Sequence, residues 1–271
     1  MPGIGLWKPA QSAHAIQLAA VGINFREPIT SMLLERAVTI ASPTADRLGL
    51  AEKNQLQDAF IGFVNGPAAA TTPQLNTCEF MRRERPDFIS DKFTVGKLGF
   101  RYEDWSYTRW AVLADKFAQL VAPLWDTFTS VAPVADVFAE YIDVFLAPID
   151  SDESVFQILR RDSSLIASGV TSDTGYWHSH SGFFNPDGDV RRLHQINIDV
   201  AAAPTPDGER RIVQIRTYVS DQINRPDQPP KNIQPEAWAS VAKRLQDLHD
   251  AAKADFREIL TVQAAEAVSL G

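Results

Sequence analysis

Cysteine is almost missing from this sequence: Cys78 is the only one in 271 residues. A single thiol excludes an intrachain disulfide and a cysteine-built zinc knuckle, and it fits a reducing compartment. Its neighbours in 76-NTCEF-80 include Glu79, which works against a reactive thiolate. Dense runs of Lys and Arg are missing too. The nearest, 82-RRER-85 and 209-ERR-211, each carry a glutamate, and the formal net charge is -8. Phosphate-driven binding of nucleic acid is therefore disfavoured. No window reaches about eighteen uninterrupted apolar residues, so no membrane-spanning helix is expected. The 14 glycines are scattered. No Walker loop, Rossmann glycine pattern, nucleophile elbow or HExxH motif occurs. The first residues hold one lysine, Lys8, and an apolar run from Ile16 that alternates into Asn24, Arg26 and Glu27. Without a small-residue cleavage site, this reads as a strand and not a signal peptide. A soluble, cytoplasmic protein is the expectation.

What is present is an ordinary globular composition, 45% hydrophobic and 22% charged. Alternation predicts strands over 16–27, 93–105 and 137–147, with a short helix from Thr30 to Val38. A second helix is predicted over 51–64, inside a stretch from 41 to 90 that reads as an insertion, with 67-PAAATTP-73 as a loop. Apolar positions 110, 113, 117, 120, 121, 124, 125 and 128 share one helical face. Pro123 should kink or shorten that helix. Beyond a short helix at 152–161 come three strands, at about 174–184, 191–200 and 211–223. A proline-rich connector, 225–235, then leads to a closing helix with Trp238, Val241, Leu245, Leu248, Ala252, Phe256 and Ile259 on its core face. The fold class expected is α+β: two packed modules of mixed or antiparallel sheet, each covered by a long helix, with a remote duplication as one reading. Residues 1–148 would form the first module and 149–271 the second, with the boundary near 148-PIDSDE-153.

Three of the 5 histidines crowd into 177-WHSHSGFF-184 and 192-RLHQINIDV-200. Between them, 185-NPDG-188 is a turn. A three-residue loop would set His180 opposite His194 and His178 opposite Ile196, with all three rings on one face. Asp221 would then face His194 across the next hairpin, completing a candidate metal set of His178, His180, His194 and Asp221. A two-residue loop at Asp187-Gly188 slips the register by one. Trp177 then faces Ile198, and His178 and His180 turn away from His194. Turn chemistry favours the first register and hydrophobic matching the second; both stand at this point.

The aromatic block 100-FRYEDWSYTRW-110 lies where a strand gives way to a helix, a place where binding residues collect. Phe100, Tyr102 and Trp110 read as core, with Trp105 capping the helix start. Arg101, Trp105, Tyr107 and Arg109 read alternatively as a protein contact surface. On the strand at 137–147, Glu140 faces away from Tyr141 and Asp143, which weakens any acid–base pair there. His249 reads as a residue at the helix surface or its boundary.

Four blocks, 23-INFREPI-29, 100-FRYEDWSYTRWAVLADKF-117, 139-AEYIDVFL-146 and 248-LHDAAKADFREIL-260, occur in this order. Together they resemble a sporadically distributed family of uncharacterised bacterial proteins of roughly this length. The third block departs from the family pattern, with Glu140 and Asp143 where Arg and Asn would be usual. The resemblance implies an accessory gene of the kind linked with mobile elements, toxin control or antiviral defence, and it carries over no catalytic residue.

The expectation is thus a non-enzymatic protein-binding or regulatory accessory protein, without a cofactor, acting through a hetero- or homo-oligomeric protein contact. The alternatives are a metal-dependent enzyme built on the histidine set and a small-molecule sensor.

Overall fold

The computed structural model describes residues 4–11, 13–58, 74–170, 172–187, 190–225, 227 and 237–270, with Asp58 and Asp187 described by backbone alone. In chain order the elements are β1 (Lys8–Pro9), β2 (Ile16–Phe25), α1 (Ser31–Arg47), β3 (Glu52–Asp58), β4 (Gln74–Arg85), β5 (Phe88–Gly96), β6 (Gly99–Asp104), α2 (Trp110–Thr129) and β7 (Val134–Pro148). A single 3-10 turn (Val155–Gln157) follows, then β8 (Trp177–Asp187), β9 (Val190–Thr205), β10 (Gly208–Gln222), α3 (Trp238–Ile259) and α4 (Val262–Ala267). The class is mixed α+β. Among the described residues, ten strands form one large antiparallel sheet in the order β3-β4-β5-β6-β2-β7-β10-β9-β8, with β1 paired to β7. A duplicated module is not displayed by this order.

Two compact units divide the chain. The first comprises residues 1–20, 138–222 and 244–271; the second comprises 21–137 and 223–243. Residues 148 and 149, where the boundary is expected, both lie within the first unit, just at the end of β7.

In the second unit, α1 starts at Thr30, whose hydroxyl accepts from the Leu33 amide at 3.3 Å. The helix lays Leu34, Ala37, Val38, Ala41 and Ala45 into the core. It ends at Gly49, at φ +80°, with Leu50 N donating to the Ala45 carbonyl at 2.9 Å and Gly49 N to the Asp46 carbonyl at 3.0 Å. Glycine suits that left-handed helix stop. Aromatic rings line this core. Phe100 meets Phe25 at 5.2 Å and Phe128 at 5.7 Å, both edge-on, and Trp238 meets Trp125 at 5.6 Å. Gly99, at φ +155°, passes so close to Ile23 that a Cβ would overlap its carbonyl oxygen. That approach lets β6 lie against the chain at Ile23.

In the first unit, even-numbered β9 residues Ile196, Ile198 and Val200 pack with odd-numbered Val213 and Ile215 of β10. Phe256 and Ile259 of α3 close over the same core. Each such large side chain, fully buried, contributes ~1.5–3 kcal/mol.

Several expectations are corrected. Residues 52–58 are strand β3, not helix, and 59–64 lie outside the described residues. Their Glu, Lys and Gln content suits a helix in isolation, but the ladder to β4, from Glu52↔Met81 to Asp58↔Gln74, decides otherwise. The stretch 41–90 supplies the end of α1, then β3, β4 and the start of β5; the loop expected at 67–73 lies outside the described residues. The strand expected over 93–105 is a hairpin, turning at Lys97 and Leu98. Pro123 does not end α2; it sits on the exposed side, where water can satisfy the carbonyl it leaves unbonded. The helix at 152–161 shrinks to one turn because Leu159 bridges Leu260 and Arg160 N donates to the Ile259 carbonyl. The connector expected over 225–235 lies outside the described residues except at Arg225 and Asp227, and α4 was not expected.

Candidate functional site

The first hairpin settles the histidine register. Its ladder runs from Trp177↔Val200 to Asp187↔Val190, so Ser179 faces Ile198, His180 faces Asn197, and Phe183 faces His194. The three-residue-loop register is therefore not the one formed. Burial decides this: the observed phase turns Trp177, Ser179 and Phe183 toward the α3 side, where Trp177 and Phe183 pack on the core. A slip by one would turn both rings out. The alternative register had the correct facing but stood two residues off. In the second hairpin Arg192, and not His194, faces Asp221.

The four residues of the metal set do not come together. His178 and His180 are exposed on one side of the sheet, and His178 Nδ1 lies 2.6 Å from Asp199. His194 is 5% exposed on the other side. Asp221, fully buried, accepts Arg192 at 2.7 and 3.0 Å and faces Arg244 at 3.5 Å. Among the described residues, no three His, Cys, Asp or Glu side chains gather as a metal site would require.

Instead, a polar layer runs between α3 and the sheet within the first unit. His194 Nδ1 pairs with Asp255 at 2.6 Å, and its ring stacks on Phe183 at 4.5 Å and 10°. Its Nε2 is buried without a hydrogen-bond partner. Tyr141 Oη meets His249 Nδ1 at 2.8 Å, and burial holds His249 below its ordinary pKa. Asp143 is fully enclosed, with one carboxyl oxygen unpartnered, and burial pushes its pKa well up. Thr217 Oγ1 is likewise buried and unpartnered. A carboxylate-oriented imidazole is half of a nucleophilic triad. Among the described residues, the other half, a hydroxyl or thiol bonded to His194 Nε2, is not in place.

In the second unit, the aromatic block is largely interior. Tyr102 donates to Asp91 at 2.6 Å, and Asp91 also receives Lys116 at 2.6 Å and an ion pair from Arg82. Burial drives Asp91 upward, but the bonds from Lys116 and Tyr102 and the nearby cations outweigh it, so its pKa is lowered. Asp104, 3.6 Å from Lys116, is raised by burial. On the opposite side of β6, Glu103 takes Lys92 at 2.7 Å and Arg101 at 3.2 Å. Of the expected contact residues, Arg101 is thus engaged with Glu103 and Tyr107 is buried. Trp105 is half-buried beneath Lys92, at 5.5 Å, and Arg109 is exposed. Inward alternation of Phe100, Tyr102 and Asp104 along β6 explains why the block faces the core.

The remaining surface is the side of β8, β9 and β10 turned away from α3. Leu193, Gln195, Asn197, Gln214, Arg216 and Tyr218 are all half-exposed there. Arg216 caps the buried Glu140 carboxylate, and Tyr218 stacks on Phe138 at 5.5 Å. Arg191, anchored on Gln222 at 2.7 and 2.9 Å, covers the Phe184 ring at 4.2 Å. At the outer margin of β8 a cavity of about 490 Å³ is lined by His180 and Ser181 together with Phe156, Arg161, Ile166 and Val170, among others.

Comparison with protein-family models, with curated proteins and with solved structures gives no match. Sequence reasoning missed Asp255, Lys116, Asp91 and Arg216, and read His249 only as a residue at the helix surface or its boundary. Each meets its partner across a separation that no local motif spans.

Proposed function

We propose that this chain is a non-enzymatic protein-binding, regulatory accessory protein that presents the outer side of β8–β10 to a protein partner. The observation that carries the reading is the contrast between the two sides of that sheet. The reactive side chains His194, Asp255 and Asp143 are enclosed between α3 and the sheet. The other side offers arginine, tyrosine, amides and leucine on a rigid strand framework. Aromatic and arginine side chains are enriched in protein interfaces, and such groups bind without covalent chemistry. The resemblance read from the four sequence blocks supports an accessory role in toxin control or antiviral defence.

The test uses tagged full-length chain cross-linked in its source cells, followed by titration of the purified candidate partner. Gln195→Lys and Gln214→Lys change half-exposed positions on this side. Together they should weaken binding at least tenfold, about 1.4 kcal/mol. Trp105→Ala and Arg109→Ala should leave it unchanged. Loss of binding in the second pair alone would move the contact to the aromatic block. Unchanged affinity in all four would overturn the reading.

A further inference from the structure

We infer that β8 is the pairing edge of a homodimer, in which two copies of this chain join their sheets antiparallel about a two-fold axis at His180. The pairing uses the backbone edge of β8 and not the half-exposed side chains of β9 and β10.

The two terminal strands of the sheet are β3 and β8. Exposed backbone at a sheet edge invites pairing, and charged residues are the usual guard. β3 has that guard: Glu52 and Lys53 are exposed on it. β8 has none, for no Lys, Arg, Asp or Glu occurs from Thr174 to Pro186.

The phase of the ladder fixes which backbone groups point outward. Pro186 has no N–H, so Pro186↔Arg191 cannot be a doubly bonded pair, and Asp187↔Val190 must be. Counting back, the odd-numbered residues bond to β9. His178, His180, Gly182 and Phe184 turn N–H and C=O away from it. No other backbone bond among the described residues engages those groups. The loop that lies along this strand touches it through side chains: Ser179 Oγ accepts from Ala167 N at 3.0 Å, and Ser181 Oγ donates to the Leu165 carbonyl at 2.6 Å.

The occupant follows from symmetry and charge. Outward-bonding residues must face outward-bonding residues, so an antiparallel self-pair centres on a residue and not between two, and matching the two exposed rings of Tyr176 and Phe184 puts that centre at His180. Centred on His180, it sets Tyr176 against the partner subunit's Phe184 and His178 against the partner subunit's Gly182. Tyr176 is 60% and Phe184 50% exposed, among the larger apolar groups left on the surface. This pairing covers both with one another, and cross-strand aromatic pairs are favourable. Phe184 is already held in place under Arg191. A chain of net charge -8 repels its copies, so self-association needs a segment free of charge. The segment 174–186 provides one.

Sedimentation velocity of the full chain over a concentration series should give a dimer with a Kd of about 10 μM or tighter. His180→Lys sets like charges directly opposite at the axis and should weaken the dimer at least tenfold, with the thermal melt of the monomer unchanged. Under mild oxidation His180→Cys should cross-link to a covalent dimer, while His178→Cys, far from its own copy in this register, should not. A chain that stays monomeric overturns the inference, as does a dimer indifferent to His180→Lys. So does a monomer whose edge instead captures another protein's strand in a manner lost in His180→Lys.

Discussion

The Nδ1 nitrogen of His194 lies 2.6 Å from a carboxylate oxygen of Asp255, joining the interior of β9 to α3. Both groups are nearly enclosed, at 6% and 11% side-chain exposure. Removing the carboxylate leaves both ring nitrogens of His194 buried without a partner. Asp255→Ala should therefore cost about 2 kcal/mol in urea unfolding. A cost below about 0.5 kcal/mol would show that the polar layer does not fasten the helix.

Asp143→Asn should stabilise the protein as the pH rises. Burial lifts the Asp143 carboxyl well above its ordinary 3.8, so the folded chain keeps a proton that the unfolded chain has released. Stability from that group is whole below 3.8 and is lost as pH rises through the folded pKa. Asparagine keeps the shape and does not ionise. The variant's advantage should grow from acid toward about pH 8 and reach roughly 1 kcal/mol or more. Thermal melts across that range measure it; an advantage confined to acid would contradict the assignment.

His249 works in the opposite sense. Burial depresses its pKa below 6.5; Asp250 opposes the shift and Lys253 adds to it. The unfolded chain therefore takes up a proton first, and stability present above 6.5 is lost as pH falls. His249→Gln can still bond to Tyr141 and cannot titrate. Its stability should fall less steeply than the parent's between about pH 7 and 5.

Asp91→Asn tests the network under the aromatic block. The carboxylate's lowered pKa means its stabilisation is present above 3.8 and disappears as pH falls through the folded value. The variant should lose about 3 kcal/mol at neutral pH, because Lys116 and Arg82 are left with an uncharged partner. Its acid unfolding limb should also be shallower. Equal acid limbs in urea melts would reject the network as a source of stability.

The closing helix was legible residue for residue, because seven apolar positions at steps of three and four can do little else. The strands of the last hairpins were legible in place but not in register. Turn preference is a local term, and the buried rings of Trp177 and Phe183 outweighed it. Residues 52–58 were misread as helix because an exposed, polar edge strand carries the same Glu, Lys and Gln content as a surface helix. The pairs that define the interior, His194 with Asp255 and Lys116 with Asp91, lie 61 and 25 residues apart. Periodicity cannot reach across such intervals, so these pairs were invisible before the chain was folded.

The first compact unit is stitched from 1–20, 138–222 and 244–271, with the second unit's residues threaded between them. During synthesis β1 must wait, unpaired, until Phe145 and Leu146 of β7 have been made. Its final helical segment is added only after residue 244. Cutting the gene at any single point would therefore yield fragments that each lack part of the first unit's core. This protein's dissection calls for point substitutions, and its biogenesis for protection of the waiting strand.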